Sequence, residues 1–356
     1  MALGFFENGA RKRRDQILAV DLGSRTTKAI HVQRRGESYT LCRFALLDAP
    51  IFEKTMSTEL LTEHLRAVNH ALQGKSKLVS LTAGVNDALV RHVEMPRMPV
   101  EDMRLILKNN SRNYLQQDLS NYVFDCHVIP GGEGKSEPPK GPTGQAKQKV
   151  LVAGAKKQLV DDFVEGARGA GLIADHIVPG LIGPVNAFEM ALPDVFSKDV
   201  IALVDIGFKC TSICILQEGE MILSRVVGLG GDRMTNALSE SMNISYAEAE
   251  GIKVGMPNEV QAALDSVLIP LSRELRASID FFEHQQDRQV TQAFVTGGSA
   301  RSELILQSLQ HELLIECKMW NPTSFLQNGL TSEQAVELEQ VAPQLAVAVG
   351  AALAAL

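Results

Sequence analysis

The sequence predicts a duplicated, bilobal α/β fold, and three observations carry that reading. The stretch Val204-Asp205-Ile206-Gly207-Phe208-Lys209-Cys210-Thr211 has an earlier echo in Val20-Asp21-Leu22-Gly23-Ser24-Arg25-Thr26-Thr27-Lys28. Each follows an apolar run, turns at Gly and resumes as a second apolar run, which reads as strand, tight turn, strand, used twice. Late in the second half a further strand, Ala293 to Thr296, delivers Gly297-Gly298-Ser299. Backbone N–H groups at such glycine turns cradle phosphate oxygens, and an Asp at a strand end holds a hydrated Mg²⁺. Two hairpins of this kind facing each other would grip the phosphate tail of a nucleotide from both sides.

Taken in order, residues 16 to 47 alternate apolar and polar, with a turn at Arg35-Gly36-Glu37, and predict a three-stranded meander. Leu60, Leu61, Leu65, Val68 and Leu72 place a helix over Thr58 to Leu72, and Lys77 to Val85 reads as a strand. Ala88 to Val93 is a strand ending at Met95-Pro96-Arg97-Met98-Pro99, and Pro99 suits the start of a helix whose apolar face is Val100, Met103, Leu107 and Tyr114. Tyr122 to Ile129 is a strand. Pro130 to Gln148 carries almost no apolar residue and predicts a mobile loop between strands. Lys149 to Ala155 is a strand, Lys157 to Ala170 a helix, Ile173 to Val178 a strand, and Leu181 to Leu192 a helix with Pro184 in its first turn.

The second half repeats the plan. Ile201 to Ile206, Thr211 to Gln217 and Met221 to Val227 predict a meander, and Gly228-Leu229-Gly230-Gly231 opens a helix to about Met242. Ser245-Tyr246-Ala247-Glu248 is a capping box, and Asn258 to Gln286 predicts a long helix bent at Pro270. Ser302 to Leu314 is a helix, Ile315 to Trp320 a strand, and Ala342 onward the final helix of small apolar residues.

Composition narrows the function. A length of 356 residues is ample for a core, and 45% hydrophobic content is ordinary for a globular chain. A net charge of −7 argues against general nucleic-acid binding. Five irregularly spaced Cys suggest no disulfide framework, and Cys210 with Cys214 reads as a reduced pair on one strand face. Arg11-Lys12-Arg13-Arg14 follows Phe5 and Phe6, the wrong order for a signal peptide; it is either a solvated leader or a patch for anionic lipid or a partner. No apolar run reaches the ~18 residues of a membrane helix, and the cysteine usage leads us to expect a cytosolic chain.

The site residues carry both a binding and a plain reading. Lys28 is either a cation for β/γ-phosphates or an exposed strand lysine. Lys209 either meets phosphate or faces solvent. Glu250 and Lys253, one helical turn apart, either reach a ribose or adenine edge or form a solvated i,i+3 pair. Gly297 and Gly298 offer a side-chain-free surface for adenosine. His31, His92 and His127 lack acid or nucleophile neighbours and read as structural, and no Ser/His/Asp or Cys/His set stands out.

With these motifs the chain resembles the actin-like (ribonuclease H-like) ATPase superfamily, which includes actin, sugar kinases, heat-shock chaperones and the cell-division protein FtsA. Asp21-Leu22-Gly23-Ser24-x-x-x-Lys28 looks like its first phosphate motif, Asp205-Ile206-Gly207-x-x-x-Thr211 its second, and Thr296-Gly297-Gly298-Ser299 its adenosine motif. Val93-Glu94-Met95-Pro96, Gly230-Gly231-Asp232-Arg233-Met234-Thr235, Ala249-Glu250-x-x-Lys253, Glu274 to Phe282, Asn321-Pro322 and Ala348 to Leu353 are similar to the PilM family of type IV pilus assembly proteins. The resemblance implies a first-lobe core over 1–87 (completed by 171–196 and 335–356), an FtsA-like insert over 88–170 with a flexible loop at 130–148, a second-lobe core over 197–242 and 287–334, and a helical subdomain over 243–286.

It further implies ATP between the lobes, bound through Asp21, Gly23, Ser24, Arg25, Thr26, Lys28, Asp205, Gly207, Lys209, Thr211, Gly230, Gly231, Glu250, Lys253, Gly297, Gly298 and Ser299. Asp21 and Asp205 would hold Mg²⁺ through water, and Asp205 would position water. In that family a groove between the first lobe and the insert receives the short cytoplasmic N-terminus of PilN, an inner-membrane protein, so membrane contact is expected only through that partner; self-association is a further expectation. Ile182-Gly183-Pro184-Val185 stands where chaperone and kinase relatives carry a water-positioning side chain, and Phe208, Lys209 and Cys210 make the second phosphate turn bulky, which favours ATP as a switching ligand over rapid turnover. The other readings are an FtsA-like division protein and a small-molecule kinase of the same fold.

Overall fold

The computed structural model describes residues 14–52, 55–74, 76–129 and 146–356, apart from the side chains of residues 257 and 258. Residues 1–13 of the leader and nearly all of the expected loop at 130–148 lie outside the described residues. In chain order the chain forms β1 (Gln16–Leu22), β2 (Thr26–Arg35), β3 (Ser38–Asp48), α1 (Thr58–Leu72) and β4 (Leu78–Ala83). Then come β5 (Ala88–Pro96), α2 (Val100–Leu115), β6 (Tyr122–Val128), β7 (Lys147–Lys156), α3 (Lys157–Gly169), β8 (Ile173–Pro179), α4 (Gly183–Ala191) and α5 (Pro193–Lys198). Next are β9 (Val200–Ile206), β10 (Thr211–Gln217), β11 (Glu220–Val227), α6 (Gly231–Met242), α7 (Tyr246–Gly255) and α8 (Gln261–Gln286). The chain ends with β12 (Gln292–Thr296), α9 (Glu303–Leu313), β13 (Glu316–Met319), β14 (Gln327–Asn328), α10 (Ser332–Val341) and α11 (Ala346–Leu353).

Two compact units emerge. The first comprises the chain through Asn186 with Leu326–Leu330 and Val347–Leu356. Its main sheet has the order β14-β3-β2-β1-β4-β8. The β1–β2–β3 meander is antiparallel, and β4 and β8 extend it in parallel. α1 forms because Leu61, Leu65, Val68 and Leu72 recur on one buried stripe, and Ser57 caps it by accepting from the Leu60 N–H at 3.2 Å. That stripe packs with Leu18, Val20, Val79 and Leu81 of the sheet and with Phe163 and Ala167 of α3. A second sheet, β5-β7-β6, has its own core, in which Leu89, Val93, Met95, Val150 and Val152 meet Met103 and Leu107 of α2. β5 runs three residues beyond the expected strand, through Pro96, which an edge strand tolerates because it leaves no ladder donor missing.

The second unit comprises Ala187–Phe325 and Thr331–Ala346. Its sheet has the order β11-β10-β9-β12-β13, again an antiparallel meander followed by parallel strands. The order β3-β2-β1-β4 in one sheet and β11-β10-β9-β12 in the other is the duplication that the two hairpins announced. α8 packs Leu264, Leu268, Leu271, Leu275, Ile279 and Phe282 into the core.

Some expectations need correction. The α-helical part of the expected Asn258 to Gln286 segment, α8, starts at Gln261 after a short 3-10 turn, and Pro270 lies inside it. α2 carries a non-helical residue, Asn110 (φ −141°, ψ 29°), that no sequence signal announced. Cys210 lies in the turn ahead of β10, so it does not share a strand face with Cys214, which is buried inside β10. α5, α10 and β14 were not expected.

Candidate functional site

In the first unit the site is built on the ends of β1 and β4. Register sets Asp21 opposite Lys28 on β2 and opposite Thr82 on β4, so all three side chains project from one face. The carboxylate is fully engaged: Lys28 Nζ donates to Oδ2 at 3.0 Å and the Thr82 hydroxyl to Oδ1 at 3.2 Å. The ion pair is mostly sheltered, with side-chain exposures of 13% for Asp21 and 20% for Lys28. The Lys28 ammonium folds over Gly23, while Ser24 and Arg25 form the exposed tip ahead of Thr26, the first residue of β2. Beneath the tip, buried Thr27 hydrogen-bonds His64 Nε2 of α1 at 2.8 Å, and Ala49 N–H donates to the Arg25 carbonyl at 2.9 Å.

The second unit repeats the register and changes the contacts. Thr296 stands opposite Asp205 as Thr82 stands opposite Asp21, but its hydroxyl donates to the Pro343 carbonyl at 2.7 Å. Gly297 follows with φ +97°, a left-handed conformation, and a Cβ there would run into the Asp205 carboxylate and the Ile206 carbonyl. The chain therefore passes Asp205 with no side chain between them, beside exposed Gly298 and half-buried Ser299.

The second hairpin turn is closed by Gly207 N–H donating to Cys210 C=O at 3.0 Å. α6 starts directly against it. Gly231 N–H donates to the Gly207 carbonyl at 3.0 Å and Asp232 N–H to the Phe208 carbonyl at 2.8 Å. Gly230 is needed for this approach, because a Cβ would sit 2.6 Å from the Phe208 carbonyl and 2.7 Å from that of Gly207. Thr211, buried at the start of β10, donates to the Leu229 carbonyl at 2.7 Å and ties the same corner from below.

α7 lies alongside. Lys253 Nζ donates to Glu250 Oε2 at 2.8 Å, to Thr235 Oγ1 at 2.7 Å and to the Gly231 carbonyl at 3.2 Å, and the Thr235 hydroxyl meets Glu250 at 2.5 Å. This is a sheltered cluster at the α6 start, not a solvated i,i+3 pair. Lys209 does not simply face solvent: its Nζ donates to Asp232 Oδ2 at 2.8 Å, and Tyr246 donates its hydroxyl to Asp232 Oδ1 at 2.9 Å. Burial pushes the Asp232 pKa up, but hydrogen bonds from Lys209 and Tyr246 outweigh it and hold the carboxyl below its usual range. Burial and then the Asp232 contact push the Tyr246 phenol up to about 12.

Of the expected residues, the first unit thus gathers Asp21, Gly23 and Lys28. The second gathers Asp205, Gly207, Gly230, Gly231, Glu250, Lys253, Gly297 and Ser299. Thr82, Asp232, Thr235 and Tyr246 were missed. For Thr82 a signal existed, since Leu81-Thr82-Ala83-Gly84 mirrors Val295-Thr296-Gly297-Gly298 after matching strands. Gly183 also has a packing role that the sequence did not announce. A Cβ there would meet the Val347 carbonyl at 2.7 Å and its Cα at 2.8 Å, so this position points into the packing of α11 and the glycine is a steric requirement. Among the described residues no group of three or more His, Cys, Asp and Glu is placed to hold a metal ion. One or two carboxylates with water suit a Mg²⁺ that arrives with phosphates, which needs no cage of its own.

The duplicated sheets, their order and the paired Asp-x-Gly hairpins define an actin-like ATPase fold. The family profile described as "Type IV pilus assembly protein PilM" matches residues 19–356, and the chain belongs to that family. Among solved structures it is similar to a chain of a PilM-PilN type IV pilus biogenesis complex, with TM-score 0.80, 22% identity, and coverage of 96% of this chain and 98% of that one. It is also similar to MreB 5 of Spiroplasma citri bound to AMPPNP, with TM-score 0.52, 9% identity and 95% coverage of each chain. In sequence it is 20% identical to the cell division protein FtsA of Bacillus subtilis over 253 residues, 66% of this chain and 57% of FtsA. The chain thus spans a little over half the length of the FtsA relatives it matches. Among the described residues no helix is long and apolar enough to cross a membrane.

Proposed function

We propose that the chain is an ATP-binding cytoplasmic scaffold of the inner-membrane platform that assembles type IV pili. In this reading it holds the cytoplasmic N-terminus of a PilN-like membrane protein and reaches the membrane through it. Family membership supports the pilus assignment, and the similar PilM chain belongs to a PilM-PilN complex. The observation that carries ATP binding is the repeated strand-end geometry: Asp21 beside Lys28 in one unit, and Asp205 passed closely by Gly297 in the other. The similar MreB 5 chain binds AMPPNP, which supports the same ligand class.

In this account Asp21 and Asp205 are the carboxylates that would hold Mg²⁺ through water, and the ion would neutralise phosphate charge. Lys28 places its ammonium at the phosphates, and the Gly207–Cys210 turn supplies backbone donors. Glu250 and Lys253 hold the ribose or base edge against the open backbone of Gly297 and Gly298. In this reading ATP acts as a bound key that stabilises the competent state by mass action. The test is a fluorescent peptide of the PilN-like N-terminus titrated with the full chain, with and without ATP and Mg²⁺. Micromolar binding that strengthens with ATP is expected; no binding in either condition would overturn the scaffold reading.

A further inference from the structure

The ion pair in the second hairpin turn is arranged as a competitor for phosphate. Lys209 sits at the tip of the turn that the ATP reading assigns to phosphates, yet its ammonium points to Asp232 at 2.8 Å. It is the more exposed partner, with 56% of its side chain open against 22% for Asp232. A half-exposed ion pair of this kind is a weak, exchangeable contact. A phosphate offers the same ammonium several charged acceptors for a charge-assisted bond.

Asp232, by contrast, is fixed. Its N–H donates to the Phe208 carbonyl of the same turn, and its other carboxylate oxygen accepts from Tyr246 of α7. It occupies the first turn of α6, where the helix dipole favours a negative charge. If Lys209 swings away, Asp232 keeps a hydrogen bond and a favourable field, so its charge is not stranded.

We infer that Asp232 is a counter-ion that competes with nucleotide phosphate for Lys209, with Tyr246 holding Asp232 in place whether or not Lys209 is present. The inference rests on the ATP reading above and adds regulation to that site. Affinity is restrained by an internal carboxylate, and the restraint grows with the phosphate charge that Lys209 would otherwise meet.

The test is calorimetric titration of the full chain with ATP, ADP and adenosine, in Mg²⁺, for wild type, Asp232→Asn, Lys209→Met and the double variant. Asp232→Asn keeps the acceptor for Tyr246, and thermal melts check that every variant is folded. It should bind ATP about two- to five-fold more tightly, the scale of one exchangeable surface pair, with adenosine unchanged. Lys209→Met should weaken ATP and abolish the gain from Asp232→Asn. ATP binding unchanged or weakened in Asp232→Asn, or a gain that survives without Lys209, would overturn the counter-ion role and leave ATP binding standing. Wild type that binds no nucleotide would overturn both.

Discussion

Gly183 of α4 and Gly350 of α11 pack backbone against backbone: a Cβ on Gly350 would lie within the carbonyl group of Gly183. Asn186 and Ser80 brace the same crossing, donating to the carbonyls of Gly350 at 3.3 Å and Ala351 at 2.9 Å. The contact changes what Gly183 means. A side chain at 183 would collide with α11. Gly350→Ala should therefore destabilise the fold by about 1–3 kcal/mol, the usual cost of forcing an added methyl into a close-packed core. Urea unfolding measures it. Gly183→Asn should likewise lose stability and gain no phosphate release; a stable variant with new ATPase activity would contradict this packing account.

Gly297 is constrained twice, by its positive φ and by its approach to Asp205 and Ile206. Gly297→Ala should cost about 1–3 kcal/mol and should weaken ATP more than tenfold, because the collision displaces Asp205. Gly36 also has positive φ, but nothing lies within 4 Å of its Cβ position. Gly36→Ala should destabilise the fold less and leave ATP binding as in wild type. Equal effects at the two sites on ATP affinity would remove Gly297 from the site.

The cysteines provide a footprint. Burial pushes the Cys214 thiol up to about 12, which keeps it protonated and unreactive, whereas Cys210 is partly exposed in the turn that the ATP reading assigns to phosphates. Iodoacetamide on the native chain should label Cys210 well before Cys214, and ATP with Mg²⁺ should slow Cys210 labelling several-fold. Mass spectrometry of tryptic peptides reads both. Labelling of Cys210 indifferent to saturating ATP would place the phosphates elsewhere.

Asp175 on β8 accepts two hydrogen bonds from Arg14, at 3.1 and 2.8 Å, and contacts His176 Nδ1 at 3.0 Å. Burial raises its pKa, but the Arg14 hydrogen bonds and the His176 charge outweigh burial and hold the carboxyl below its usual value. A depressed folded-state pKa means stability that is present above the unfolded pKa of about 4 and lost as pH falls through the folded value. Asp175→Asn should thus be less stable than wild type at pH 7, with the gap closing below about pH 4. A gap that is constant with pH would show that the charge contributes nothing.

Much of this was legible because local pattern and fold agree. The Leu61, Leu65, Val68, Leu72 stripe marked α1 to the residue, and the two Asp-x-Gly hairpins marked the duplicated meanders. What escaped the sequence depends on contacts between distant elements. Asp232 stood out only as part of the Gly230 to Thr235 segment; its pairing with Lys209, 23 residues away, exists only because α6 packs onto the hairpin turn. Gly183 read as a missing side chain because its partner, Gly350, comes from the far end of the chain. Pro270 lies inside α8, and the long buried face of the helix keeps it continuous despite the missing donor.

The measurement that bears most directly on the central claim is the fate of ATP. Purified full-length chain is incubated with ATP and Mg²⁺, and bound ATP, bound ADP and free phosphate are quantified over hours beside Asp205→Ala. The account predicts ATP retained intact by wild type and lost by Asp205→Ala. Steady phosphate release by wild type, abolished in the variant, would contradict it and make the protein a cycling ATPase.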